Sequence, residues 1–235
     1  MPRSRTELAV PATNAATTLF ATALGGERVE LLATRALNWP RARTAFVADV
    51  HLGKAAAFRA GGIPLPRGST AADLARLSNV LRETGAQRLV VLGDFLHGAA
   101  GRVSALDVAF RAWRAEHASI DVVLVRGNHD DRAGDPPPDW GVTVVAEPHP
   151  LAPFLACHLP VAPRSGYALC GHVHPGVTLH GPAEQSERLP CFVLGRRRAI
   201  LPAFGGFTGT ARPPPLAGDR FVAIARTRLF ALPAA

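Results

Sequence analysis

The sequence predicts an α/β fold in which a largely parallel sheet is joined by a second, β-rich half that packs on it. Three observations predict it. Short apolar runs alternate with helical patterns in the first half; the second half has short runs between turn signals and no long helix; and 235 residues suit one α/β domain with a full core. Strand, helix, strand in that order reads as βαβ, hence neighbouring parallel strands joined by right-handed crossovers.

The elements follow in order. "MPRSRTELAVPATNAATTLFATALGG" has early arginines and an alanine-rich stretch, but threonines, Asn14 and Glu7 interrupt it, so it makes a poor secretory leader. About residues 1–24 read as a loose N-terminal tail of a cytoplasmic protein. "TAFVA" runs into Asp49, "RLVVLG" into Asp94 and "DVVLVRG" into Asn128. Helical patterns lie between these runs: residues 53–60, about 70–84 with "GST" as a cap, and about 104–117. "APFLAC" then leads to His158, and "YALCG" to His172 with His174. Further short runs fall near 142–145, 177–180, 190–194, 199–201, 221–225 and 228–232, and residues 181–188 and 211–219 read as surface loops. Without a repeat or a linker, residues 1–235 read as a single domain. No apolar run is long enough to cross a bilayer.

Composition narrows the partners. A net charge of +8 and a pI near 11 favour polyanions. Nearly every base is arginine, and Lys54 is the one lysine in the chain. Cys157, Cys170 and Cys191 are odd in number and lack C-x-x-C spacing, as expected of reduced, buried thiols in the cytosol.

Parallel strands leave their carboxyl ends on one edge of a sheet, where α/β proteins place ligands. Asp49, Asp94, Asn128, His158 and His172 are therefore expected to converge. Singly, each has a bland reading, since Asp after a strand is a common turn former and "GNHDD" could be a polar turn. Five strand ends with oxygen or imidazole donors, and no serine or glutamine among them, are hard to assign to chance turns.

In order and in rough spacing, "DVH" (Asp49, His51), "GD" (Asp94), "GNHD" (Asn128, His129, Asp130), His158 and "GHVH" (His172, His174) resemble the fingerprint of the binuclear metallophosphoesterase, or calcineurin-like phosphoesterase, superfamily. "ERVELLATRALNWPRARTAFVADVHLGKAAAFRAGGIPLPRG" and "LVVLGDFLHG" look like its bacterial ligase-associated DNA-damage-response phosphodiesterase or endonuclease branch, a resemblance that runs from about residue 25 onward. It implies a four-layer α/β/β/α sandwich of two mixed sheets. It also implies a phosphodiesterase acting on nucleic acid, DNA or else RNA, by attack of a metal-bridging hydroxide, in DNA repair alongside an ATP-dependent DNA ligase and a helicase. One departure stands out: many members have Gly where this chain has Cys157, which is expected to alter packing and not to cost the site.

The resemblance assigns Asp49, His51, Asp94 and His174 to one metal and Asp94, Asn128, His158 and His172 to the other. A carboxylate suits the bridging place of Asp94, because its two oxygens can serve different cations. Two cations ~3.5–4 Å apart can hold the attacking oxygen, neutralise the phosphoryl group and steady the leaving oxygen. Mixed N and O ligands without thiolate favour Mn²⁺, Fe²⁺ or Zn²⁺, and the resemblance points to manganese. In "GHVHP", a one-residue spacing on a sharp turn would aim His172 and His174 at neighbouring ions, with Gly171 giving room for the turn and Pro175 stiffening its exit.

His129 would touch the phosphoryl group or protonate the leaving oxygen, with Asp130 orienting its ring. Lys54, Arg59, Arg67 and His97 are candidates for substrate contact, although a solvated basic face accounts for the first three nearly as well. Arg196, Arg197 and Arg198 read as a hairpin tip. One Tyr and three Trp offer little base stacking, so backbone contacts should dominate and affinity should fall steeply with salt. Two alternatives keep the fold: a phosphatase or hydrolase of cyclic or pyrophosphate nucleotides with the same site, and an inactive binding scaffold. The scaffold is disfavoured because every block is filled.

Overall fold

The structure, a computed structural model, describes residues 17–66, 68–180, 185–213 and 215–232. The first sheet follows chain order: β1 (Leu19–Leu24), β2 (Glu27–Leu32), β3 (Leu37–Trp39), β4 (Thr44–Val47), β5 (Arg88–Leu92), β6 (Asp121–Val125) and β7 (Val142–Val145). β1 to β4 form an antiparallel meander, and β4 to β7 run parallel. The crossovers carry α1 (Lys54–Ala60) and α2 (Ser69–Thr84), then α3 (Ser104–Glu116), then α4 (Asn128–Ala133).

β4, β5 and β6 are continuous apolar runs because both of their faces are buried. Ala45, Val47, Leu89, Val91, Val122 and Leu124 pack on one side with Leu77 and Val80 of α2 and Phe110 of α3. Phe46, Val90, Leu92, Val123 and Val125 face the other way, toward the second sheet.

That second sheet is ordered β15-β14-β12-β13-β10-β9-β8, with β11 paired to β12. Its strands are β8 (His149–Leu151), β9 (Phe154–Ala156), β10 (Tyr167–Cys170), β11 (Gly176–His180), β12 (Ser186–Leu194), β13 (Arg198–Ile200), β14 (Arg220–Ala225) and β15 (Arg228–Ala231). β10 lies parallel to both β9 and β13, and the other pairs are antiparallel. Phe154 meets Trp39 edge-on at 4.9 Å across the inter-sheet core. Truncating so buried a ring to alanine costs roughly 3–5 kcal/mol. Ala168, Cys170 and Cys191 alternate with these residues and pack on the opposite face.

The two mixed sheets match the expected fold class. Among the described residues, all helices longer than one turn fall within residues 54–133. Residues 19–24 are not a tail: β1 pairs with β2 along its whole length, completing the sheet edge, while residues 1–16 lie outside the described residues. The run at 142–145 belongs to the first sheet, as the parallel partner of β6. Residues 186–188 belong to β12, where they pair with β11, and 181–184 are outside the described residues. Ser69 does not cap α2; the cap position is Gly68, at φ +94°, with no side-chain bond. "GNHD" forms the start of α4 and not a turn.

Candidate metal centre

The parallel strands β4, β5 and β6 of one sheet and β9 and β10 of the other end at a common rim. The five strand-end residues thus meet from two sheets. His172 N–H donates to Asp49 Oδ2 at 3.0 Å, Gly171 N–H to the His158 carbonyl at 3.0 Å, and Asp49 N–H to the Gly93 carbonyl at 3.1 Å. A Cβ on Gly171 would lie 2.6 Å from the Leu92 carbonyl oxygen and 2.9 Å from Ala48 Cβ, so the close approach of the sheet edges needs glycine there. Five site residues hold left-handed backbone: Asp49 (φ 54°), His51 (51°), Asp94 (53°), His172 (70°) and His174 (50°). Each costs about 1–3 kcal/mol, and the surrounding sheets impose it.

Of three groups of possible ligand atoms, two contain carboxylates, Asp49 with His51 and His174, and Asp94 with His158 and His172; the third joins His51 to His97 and His129. In the first, His51 Nε2 and His174 Nε2 are 3.4 Å apart and His174 Nε2 is 3.5 Å from Asp49 Oδ1. In the second, His158 Nε2 lies 3.0 Å from both His172 Nδ1 and Asn128 Oδ1. Asp94 faces both groups, Oδ1 at 3.4 Å from His158 Nε2 and Oδ2 at 3.7 Å from His51 Nε2.

The donor chemistry fits cations. His158 Nδ1 is 3.1 Å from the Leu92 carbonyl. A carbonyl only accepts, so that nitrogen carries the proton and Nε2 is left as a lone pair aimed at the other donors. Burial, with Lys54 adding to it, pushes His51 down to about 2, so its imidazole is neutral. Burial also lowers His172. Lone pairs and carboxylates brought together this way can accommodate a pair of divalent cations.

With cations removed, buried His51 gives stability a defined pH dependence. Its folded value lies below the unfolded value near 6.5, so the unfolded chain binds the extra proton and stability is lost as pH falls from about 6.5 toward 2. The loss is about 1.4 kcal/mol per pH unit from this group. Chelated protein should therefore melt at a lower temperature at pH 5 than at pH 7; a flat melting temperature over that range would contradict a neutral, buried His51.

His129 sits differently. Its Nδ1 is 2.7 Å from the His97 carbonyl, which fixes a proton there, and Nε2 turns to Asp94 Oδ2 at 4.0 Å. Its side chain is 29% exposed, against 3% for Asp94, so something outside can touch it. Asp130 does not orient this ring. Its carboxylate is buried and accepts from Leu96 N–H and Gly127 N–H, both at 2.9 Å, tying the two loops that carry Asp94 and Asn128. The carbonyl of His97 has taken the orienting place.

The His97 ring stacks on His129 at 5.0 Å, and its Nδ1 is 3.4 Å from His51 Nδ1. Burial, then Lys54, lowers it to about 4. Lys54 opens α1 beside His51, half-buried, where burial lowers it and Asp94 and Asp49 pull it back up. The Arg59 guanidinium donates to the Pro66 carbonyl at 3.1 Å, closing the turn after α1. Arg67 is outside the described residues. Arg196 and Arg197 lie between β12 and β13, at the hairpin tip. Cys157 is buried, its N–H bonded to the Leu169 carbonyl at 2.9 Å, and packs on the face of the second sheet turned away from the first.

Support residues without a sequence signal complete the site. Glu147 Oε2 accepts from His158 N–H at 2.6 Å and from Leu159 N–H at 2.9 Å. Gly205 N–H donates to the Asp49 carbonyl at 3.1 Å. That loop is itself held by Asp73, which accepts from Gly206 N–H at 3.0 Å, by Arg35, which donates to the Ala203 carbonyl at 3.0 Å, and by Arg76, which donates to the Phe204 carbonyl.

Carboxylates and imidazoles gathered at the strand ends of two mixed sheets define a metal-dependent phosphoesterase. The chain belongs to the calcineurin-like phosphoesterase family, whose sequence profile matches residues 42–182. Members of this family bind two divalent metals. Among solved structures, the Pseudomonas putida nuclease MPE is 39% identical, with a TM-score of 0.79, covering 91% of this chain and 100% of that one. The E. coli phosphoesterase Yfce is more distant, 17% identical with a TM-score of 0.36, over 77% of this chain and 87% of that one. The comparison with curated proteins gives no match.

Proposed function

We propose that the chain is a phosphodiesterase that cuts nucleic acid, an endonuclease of bacterial DNA repair working in the cytoplasm with manganese as its cation. The observation that carries the reading is Asp94 placed between two groups of imidazoles, with the partly open His129 beside them. Asp49, His51, Asp94 and His174 would hold one cation, and Asp94, Asn128, His158 and His172 the other. Bound there, two cations supply an activated water and neutralise phosphoryl charge.

The protein's own groups do the rest. His129, proton on Nδ1 toward the His97 carbonyl, presents Nε2 to the substrate; a second proton taken up there can pass to the departing oxygen. Lys54 offers its ammonium to a phosphate oxygen beside the centre. The notch next to His51 and Lys54 encloses only about 10 Å³, far below the ~300–1,000 Å³ of pockets that enclose small ligands. Such a shape suits a polymer laid across it better than a mononucleotide held inside. The likeness to a nuclease over 91% of the chain points the same way. The resemblance to the ligase-associated branch supports repair, and three free, buried cysteines suit a reducing compartment.

Manganese-loaded protein is expected to hydrolyse bis-p-nitrophenyl phosphate and to nick DNA, and to do little with monoesters or cyclic nucleotides. No diester turnover with any of several divalent metals would sink the reading; preference for monoesters would move it to a phosphatase. His129→Ala should lower kcat by ~10²–10⁴-fold while the protein keeps both metals, because the ring donates a proton and does not bind a cation. Loss of metal in that variant would count against the assignment.

A further inference from the structure

We propose that a second cavity on the same rim binds a backbone phosphate of the substrate a few nucleotides from the bond that is cut, an inference that rests on the nucleic-acid reading above. The cavity measures about 390 Å³ and is lined by Arg35, Arg76, Arg226, Thr18 and Thr34, with Glu83 as its carboxylate. Guanidinium forks and hydroxyls are the groups that recognise phosphate oxygens.

Its position follows from the topology. β3 is antiparallel to β4, with Leu37 opposite Phe46. The turn that holds Thr34 and Arg35 therefore lies at the end of β4 that leads to Asp49. Arg76 is one helical turn beyond Asp73, which lines the notch beside His51. The loop through Gly205 and Gly206 lines the notch, and Arg35 and Arg76, which line the cavity, hold the Ala203 and Phe204 carbonyls just before it.

Three further features set the cavity apart from a solvated surface hollow. Burial disfavours the charges of Arg35 and Arg76, the Arg76 charge adds repulsion at Arg35, and Asp73, paired to Arg76 at 3.3 Å, stabilises both. An anion between them would relieve the repulsion. Thr34 Oγ1 is buried and meets no hydrogen-bond partner among the described residues. Arg35 and Arg226 hold left-handed backbone at φ 68° and 53°. Arg226, exposed at the tip of the β14–β15 hairpin, makes no hydrogen bond or ion pair among the described residues and is free to close on a ligand. Arg35 and Arg76 also hold the Ala203 and Phe204 carbonyls, and the next residue, Gly205, bonds to Asp49. A phosphate seated here is thus linked to the metal centre through one short loop.

The test is binding of a labelled oligonucleotide, long enough to span both pockets, to cation-loaded protein across a range of salt. Arg226→Asn removes the charge and tolerates left-handed backbone. It should weaken binding several-fold and flatten the slope of log K against log salt by about 1, as loss of one phosphate contact does. Arg226→Lys should restore the slope, and bis-p-nitrophenyl phosphate turnover should not change in either variant. An unchanged slope in Arg226→Asn, or no oligonucleotide binding by the wild type, overturns the proposal. So does a parallel fall in bis-p-nitrophenyl phosphate turnover, which would make Arg226 structural. If Arg226→Asn alters the response of that turnover to inorganic phosphate while oligonucleotide affinity stays put, the cavity belongs to free phosphate and the proposal also fails. Wild-type protein that binds the oligonucleotide without cutting it refutes the nuclease reading alone, and the slope still decides the cavity.

Discussion

Asp94→Asn is expected to lower bis-p-nitrophenyl phosphate kcat/KM by at least ~10³-fold, about 4 kcal/mol of transition-state stabilisation. Its carboxylate sends Oδ1 toward His158 and Oδ2 toward His51, and Oδ1 also accepts from His129 N–H at 2.9 Å. An amide keeps one acceptor for that N–H but turns an NH₂ toward one group of imidazoles. It also removes the negative charge that offsets repulsion between neighbouring cations. Metal content should therefore fall together with turnover, whereas melting temperature in the presence of chelator should change little. Two metals per chain and near wild-type turnover in Asp94→Asn would remove this residue from the bridging place. The contrast with His129→Ala separates a group that holds cations from one that handles a proton.

Gly93→Ala should be strongly damaging for a change of one methyl group. Gly93 holds φ +76°, and a Cβ there would sit 2.1 Å from His158 Nδ1 and 2.4 Å from its Cγ. The ring cannot step aside: it is 1% exposed and tied to the Leu92 carbonyl. Left-handed backbone costs about 1–2 kcal/mol for a non-glycine residue, and overpacking a tight interior adds about 1–3 kcal/mol. The sum predicts a melting temperature lower by on the order of 10 °C in a chain of this size. It also predicts loss of metal from the His158 group before the His51 group. Wild-type melting and full metal content in Gly93→Ala would show that the packing around His158 is looser than described.

What the sequence made legible was the chemistry that requires particular residue types. Asp49, Asp94, Asn128, His158 and His172 stand directly after apolar runs, so a reading of strand ends alone brings them together, and the structure places them at one rim. It could not tell that β9 and β10 belong to a different sheet from β4 to β6, because hydrophobic periodicity identifies strands and not their partners. β1 was missed for a similar reason: "LFATAL" at an edge is only partly buried and reads as part of the polar segment before it. The sequence suggests an orienting role for Asp130 because acidic groups commonly hold histidine rings. The group in that place is a backbone carbonyl, which every residue has and no sequence pattern marks. Left-handed backbone at His51, His172 and His174 is equally hard to read, since among non-glycine residues it is uncommon even where histidine is enriched. Glu147 and the Arg35–Asp73–Arg76 set act through backbone N–H and carbonyl groups on distant loops, and their spacing carries no signal.

The strand ends that supply the candidate ligands come from two sheets and from positions as far apart as Asp49 and His174. Neither half of the chain contains a full set: Asp49, His51, Asp94 and Asn128 precede residue 130, and His158, His172 and His174 follow it. During synthesis the amino-terminal half emerges first and must wait for its counterpart before the cation cage can close. A centre divided in this way between two halves of the chain cannot gather its full set of donors until the last β-layer has docked.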